Sequence, residues 1–322
     1  MLRENTTITN RQLSTNHDNK NLAQTNVNTV VINLFCGALA GGTGKTVIAP
    51  LDRAKINFQI HKDIPYSFRA ATLFLRNTLQ NEGFFALWRG NSATMARIIP
   101  YAAIQFTSHE QWKKVLSVDK DQSTSGRRFL AGSLAGITSQ SCTYPLDLAR
   151  ARMAVTDKYT GYKSLRQVFV KIWIDEGPRT LFRGYGATIL GVIPYAGTSF
   201  FTFETLKRKH HDLTGEKPQP INSFVYGSMA GVIGQTTSYP LDIVRRRMQT
   251  VGMIKQPPHK TIHYQTIWSS IKIIYKNEGI RKGFFKGLSM NWVKGPIAVG
   301  ISFTTFEYTK DFLTVYMSVR SQ

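Results

Sequence analysis

Cysteine is nearly missing from this sequence: Cys36 and Cys142 are the two in 322 residues. That excludes a disulfide scaffold and fits a reducing compartment or buried thiols. Acid is scarce as well, with 19 Asp and Glu against 41 Lys and Arg and a net charge of +22. Such a surplus points to nucleic acid, anionic lipid or an anionic small substrate. No stretch of about 18 residues is free of polar groups, and the mean hydropathy is −0.20. Hydropathy alone would therefore pass over a membrane protein. Aromatic residues at 11% and hydrophobic residues at 42% exclude a wholly disordered chain. Residues 1–30 stand apart, rich in Asn and Thr, with Glu4, Asp18 and no apolar core. They read as a disordered polar tail and resemble neither a secretory signal nor a good transit peptide.

What the sequence does have is an internal repeat. Pro-Leu-Asp begins at Pro50, Pro145 and Pro240, 95 residues apart each time. Upstream lie Gly37/Gly41, Gly132/Gly136 and Gly227/Gly231, at the same interval. Downstream come a Glu-Gly pair and then Trp88-Arg89-Gly90, Phe182-Arg183-Gly184 and Phe285-Lys286-Gly287. The last spacing is longer, which marks an insertion near residues 253–260. Each triplet glycine is followed twenty residues later by Glu110, Glu204 or Glu307. The organisation read from these landmarks is a tail, 1–30, then repeats 31–122, 123–217 and 218–322.

Each repeat holds two long, weakly polar segments: 31–60 and 87–116, 128–155 and 181–209, 221–250 and 284–315. Each is long enough to cross a bilayer as a helix. Short amphipathic stretches lie between them, at 67–80, 164–174 and 266–276. The Gly-x-x-x-Gly motifs are expected to let helices approach closely in lipid. The apolar pattern runs through the prolines, so each should kink a spanning helix rather than start one. An even number of spans puts both termini on one side.

The charges follow the repeat. Asp52/Lys55, Asp147/Arg150 and Asp242/Arg245 each share a helix face. Six charges near one end of a bundle are costly unless paired, and a ring that joins each acid to a neighbouring helix would pair them. Glu110/Lys113, Glu204/Lys207 and Glu307/Lys310 form a second set near the opposite end. Ordinary surface pairs at i, i+3 are the bland alternative, but position-for-position repetition favours two gates. Three cations break the symmetry. Lys45 has counterparts Gln140 and Gln235, while Arg97 and Lys294 stand where the second repeat has Gly191. None of the three has an acid in register. A substrate is not threefold symmetric, so these positions are the best binding candidates, and they call for a polyanion. Gly191, Val192 and Tyr195 add a small apolar patch with a ring.

The Pro-x-Asp-x-x-Lys/Arg strings resemble those of the mitochondrial carrier family, over about residues 31–315. The resemblance implies an all-α membrane protein: six transmembrane helices in three pseudo-threefold repeats, with short matrix-side amphipathic helices. It implies a matrix gate with partners Asp52–Arg150, Asp147–Arg245 and Asp242–Lys55, braced by Gln59 and Gln249. It makes the Glu-Lys set a cytoplasmic gate. Asn57 departs from the family's basic residue, Ala154 from its glutamine and His109 from its aromatic. The family's substrate contacts map onto Arg97, Gly191-Val192 and Lys294. Lys45, Tyr195 and Ser238 are similar to residues of adenine-nucleotide carriers. The strings 88–95, 191–197 and 290–300 are similar to carriers of coenzyme A.

The implied activity is antiport across the mitochondrial inner membrane by alternating access. Coenzyme A or dephospho-coenzyme A would exchange for ADP or adenosine 3′,5′-diphosphate, with both termini toward the intermembrane space. An ADP/ATP or ATP-Mg/phosphate type of carrier, or a proton leak on the same fold, is the alternative. The protein is expected to act as a monomer, without cofactor. Gly90, Gly184 and Gly287 head the even helices, whose free amides suit the phosphate of cardiolipin.

Other classes fit less well. Residues 41–46, Gly-Gly-Thr-Gly-Lys-Thr, lack P-loop spacing, because Leu39 stands where the first glycine belongs. The basic residues form no nucleic-acid recognition module. The seven histidines and two cysteines show no metal-ligand spacing, and no catalytic constellation emerges, so an enzyme is not expected.

Overall fold

The computed structural model describes residues 32–61, 65–118, 125–157, 159, 161–216, 218–253 and 264–320. The proposed tail and residues 254–260 of the insertion lie outside them. The described residues are all-α. The helices are α1 (Ile32–Ile60), α2 (Phe68–Glu82), α3 (Asn91–Val115), α4 (Ser125–Cys142) and α5 (Tyr144–Val155). They continue as α6 (Leu165–Lys171), α7 (Tyr185–Thr214), α8 (Pro220–Gln249), α9 (Ile267–Gly279) and α10 (Leu288–Arg320).

The short helices start where side chains can cap them. Ser67 accepts from the Ala70 amide, Ser164 from Gln167 and Thr266 from Ser269. The α3 and α7 helices start after Gly90 and Gly184, both left-handed, and α10 starts after Gly287 at φ 80°. Among the described residues, Ile32–Ile60 and Pro178–Thr214 are both long and apolar enough to cross a membrane.

Pro50 and Pro240 lie inside continuous helices, as the apolar pattern implies. The second repeat differs: residues 128–155 are not one helix. The chain breaks at Thr143 between α4 and α5, with Pro145 at the second position of α5. Proline removes an amide donor, and the Thr143 hydroxyl bonds back to the Ser139 carbonyl at 2.8 Å.

The Gly-x-x-x-Gly motifs also behave differently from the expectation. An added Cβ would meet nothing within 4 Å at Gly37, Gly41, Gly136, Gly227 or Gly231. The close approach comes three residues further on, at Gly44 and Gly234. A Cβ on Gly234 would lie 1.9 Å from the Ser199 hydroxyl and 3.0 Å from the Tyr195 carbonyl. The packed face of the helix is thus displaced from the stripe that the motif marks.

The described chain divides into two units. One holds residues up to Gly44 together with Ile297 onward, and the other holds Lys45–Pro296. In the first, Thr43 donates to Thr305 at 3.2 Å, and a Cβ on Gly44 would lie 2.3 Å from Ser302 Oγ. The second has three buried clusters. They centre on Phe58 and Met290, on Tyr144 and Leu148, and on Tyr239 and Ile243. Each joins a Pro-Leu-Asp helix to an amphipathic helix of its own repeat, so the same packing unit occurs three times.

Candidate functional site

All the Pro-Leu-Asp charges lie in the larger unit, and they meet across helices. Arg150 on α5 donates to Asp52 on α1. Arg245 on α8 donates to Asp147 on α5 at 2.5 Å. Lys55 on α1 donates to Asp242 on α8 at 3.0 Å. The ring closes on itself, and Asp52, Lys55 and Asp147 are buried. Buried pairs of this kind are costly to split, on the order of 3–5 kcal/mol when one partner is removed.

Two glutamines reach into the ring. Gln249 donates to Asp147 at 2.8 Å and to the Tyr144 hydroxyl at 3.0 Å. Gln59 donates to Asp242 and to the Tyr239 hydroxyl, both at 3.2 Å. The tyrosine hydroxyls in turn donate to the carbonyls of Arg183 and Lys286. Both tyrosines stand one residue before the repeat proline, where the first repeat has Ala49. The missing third brace therefore lacks both members, Ala154 in place of glutamine and Ala49 in place of tyrosine. Asp52 takes Lys294 instead, at 2.6 Å.

Along their own helices Arg97 and Lys294 have no acid in register, but each meets one across the fold. Arg97 lies 3.5 Å from Asp147, donates to Gln140 at 2.5 Å and to Thr143 at 3.1 Å, and covers the Tyr101 ring. The acids come from other repeats, so spacing along one helix could not reveal them. Lys45 is more exposed and borders a narrow crevice with Asp52, Arg150 and Gly90.

A cavity of about 690 Å³ lies beside the ring, within the size range of ligand pockets. Gly191, Val192, Tyr195, Ser238 and Lys294 line it, with ring residues Lys55, Asp242 and Arg245. Arg97 and Lys45 are not among its lining residues, although Gln140, which holds Arg97, is. A Cβ on Gly191 would meet Leu241 at 3.6 Å, an ordinary contact. Packing therefore does not demand glycine there.

The second charge set is looser. Lys113 donates to Glu110 on its own helix at 2.8 Å, and Lys207, Glu307 and Lys310 are exposed. Gly90, Gly184 and Gly287 are buried against neighbouring helices. Their Cβ atoms would lie 2.9 Å from the Arg150 carbonyl, 3.1 Å from the Arg245 carbonyl and 3.4 Å from the Tyr239 hydroxyl.

One three-membered network went unread in the sequence. Arg152 Nε donates to the Gln249 carbonyl while its other nitrogens hold Glu176. Arg247 does the same with the Gln59 carbonyl and Glu278. In the first repeat Asn57 occupies the equivalent place, and Arg53 does the work from one helical turn earlier. It reaches the Ala154 carbonyl at 3.3 Å and Glu82 at 3.1 Å. The signal was the Glu-Gly pair, which supplies the acid in each repeat.

Three stretches, residues 26–120, 121–213 and 216–317, match the family model described as Mitochondrial carrier protein. The chain belongs to the mitochondrial carrier family. The matched segments start 95 residues apart, the interval of the Pro-Leu-Asp strings. Among relatives, the Mitochondrial coenzyme A transporter SLC25A42 of Danio rerio is 52% identical over 291 residues, covering 88% of each chain. The human protein of the same name is 51% identical over 283 residues, 86% of each. Human Solute carrier family 25 member 16 is 39% identical over 293 residues, covering 86% of this chain and 87% of its own. The carrier is thus an all-α protein of the mitochondrial inner membrane. Large apolar side chains left exposed on α7 and α10, among them Phe201 and Phe303, suit a lipid surround.

Proposed function

We propose that the carrier brings coenzyme A or dephospho-coenzyme A into the matrix in exchange for adenine nucleotides, ADP and adenosine 3′,5′-diphosphate among them. One observation carries the reading beyond family membership. Two of the cations that break the repeat, Arg97 and Lys294, are held by acids of the charge ring, and Lys294 lines the roomy cavity beside it. The names and identities of the SLC25A42 relatives support the substrate.

In this reading the ring is the matrix gate, with Gln59 and Gln249 as braces. The Glu-Lys set is the cytoplasmic gate: Glu110, Lys113, Glu204, Lys207, Glu307 and Lys310. Substrate phosphates draw Lys294 from Asp52 and Arg97 from Asp147, as charge-assisted partners. Each acid then keeps fewer cations, and the ring opens at lower cost. The adenine lies along Gly191 and Val192 beside Tyr195 and Ser238, where glycine leaves room for a flat ring. Lys45 meets the phosphates after they pass Asp52. Opening one gate as the other closes gives alternating access. Cardiolipin phosphate sits on the amides that follow Gly90, Gly184 and Gly287, and the carrier works as a monomer.

Counter-exchange in proteoliposomes preloaded with ADP tests the site. Arg97→Gln and Lys294→Gln should each cut coenzyme A uptake more than tenfold while the purified protein stays folded. Uptake at the unsubstituted rate in either variant would refute it.

A further inference from the structure

A fourth cation breaks the repeat. Six residues after the repeat proline stand Ile56, Ala151 and Arg246. Two repeats place an aliphatic side chain there, and the third places an arginine. Its side chain is only 10% exposed. One terminal nitrogen lies 3.5 Å from Asp147 and 2.9 Å from the Gln249 side-chain oxygen. Its Nε is buried and has no hydrogen-bond partner. The gate contacts of the symmetric scheme do not require this residue, since Arg245 already serves Asp147.

Arg246 changes the charge balance. Lys55, Arg97, Arg150, Arg245, Arg246 and Lys294 all lie within 3.5 Å of Asp52, Asp147 or Asp242. Six cations thus face three carboxylates, and Asp147 alone faces three guanidiniums. Uncompensated charge in such surroundings is costly and is relieved by a matching counter-charge. A pyrophosphate linkage brings about two negative charges, and a phosphate monoester on the ribose adds about 1.5 to 2 more.

We propose that Arg246 is a specificity-determining residue that adds one charge to this surplus. The carrier then favours nucleotides with a ribose phosphate besides the pyrophosphate over those with pyrophosphate alone. Coenzyme A is accordingly preferred to dephospho-coenzyme A. Without Arg246 the surplus falls by one, and the advantage of a ligand with an added phosphate monoester falls with it. The inference rests on the exchange reading above and adds the discrimination between its two cargoes.

The test compares uptake of coenzyme A and dephospho-coenzyme A, at equal concentration, into ADP-loaded proteoliposomes. The unsubstituted carrier should favour coenzyme A. Arg246→Gln should lower the ratio of the two rates at least fivefold while dephospho-coenzyme A continues to enter, and Arg246→Lys should restore it. An unchanged ratio in Arg246→Gln overturns the proposal. So does a variant that transports neither, because Arg246 would then be a gate member and not a selector. An independent measurement uses the unsubstituted protein in detergent: coenzyme A should raise its unfolding temperature more than dephospho-coenzyme A at equal concentration. Equal protection also overturns the proposal. If the unsubstituted carrier exchanges neither compound for ADP, the exchange reading itself fails, a separate outcome.

Discussion

Two glycines show how the same residue type serves different ends. Gly90 has φ 88°, is buried, and faces the Arg150 carbonyl so closely that a Cβ would stand 2.9 Å from it. Strain of that kind costs about 1–3 kcal/mol. Gly90→Ala should lower the unfolding midpoint measured by thermal denaturation in detergent; a midpoint equal to that of the unsubstituted protein would contradict the packing argument. Gly191 sits inside α7 with space for a methyl group against Leu241. Gly191→Ala should therefore keep the midpoint yet slow nucleotide exchange, because the methyl group occupies cavity volume. At this scale the sequence was informative wherever the three repeats could be compared. Comparison isolated Arg97 and Lys294 without coordinates. It passed over Arg246, because the neighbouring Arg245 and Arg247 both fit the repeat and hid the odd one between them.

Among elements, the amphipathic helices were legible because their caps are local chemistry. Ser67, Ser164 and Thr266 open the expected stretches, and each accepts an amide within its own first turn. The break at Thr143 was not legible, since all three repeats carry the same proline and it separates two helices in one of them. The Arg53 substitution for an arginine at position 57 was also hidden. It moves a guanidinium one turn along α1 and recovers the same two partners, and a linear motif records only the loss at Asn57. Arg53→Leu should lower the unfolding midpoint, because Glu82 loses its guanidinium, with a cost on the order of 3–5 kcal/mol. Adding Asn57→Arg recreates the Leu148/Arg152 and Ile243/Arg247 pattern and should recover at least half of the loss. A double variant as unstable as the single one would mean that the two positions are not interchangeable.

For the molecule as a whole, an even number of spans puts both termini on one side, and the prediction is that this side is the intermembrane space. Tags at the two ends should both be cleaved by protease added to mitochondria whose outer membrane has been opened; protection of either tag would overturn that orientation. The threefold plan and the family were written in the order of residues, because a repeat is a one-dimensional property and charge carried along it can be compared copy by copy. Which cation each acid holds, and where the plan is repaired or departed from, depended on the folded chain. Asp52 trades a glutamine brace for Lys294, and Asp147 gathers three arginines. Those partners lie on helices far apart in the chain, and a charge is stabilised by what surrounds it in space, not by its neighbours in sequence.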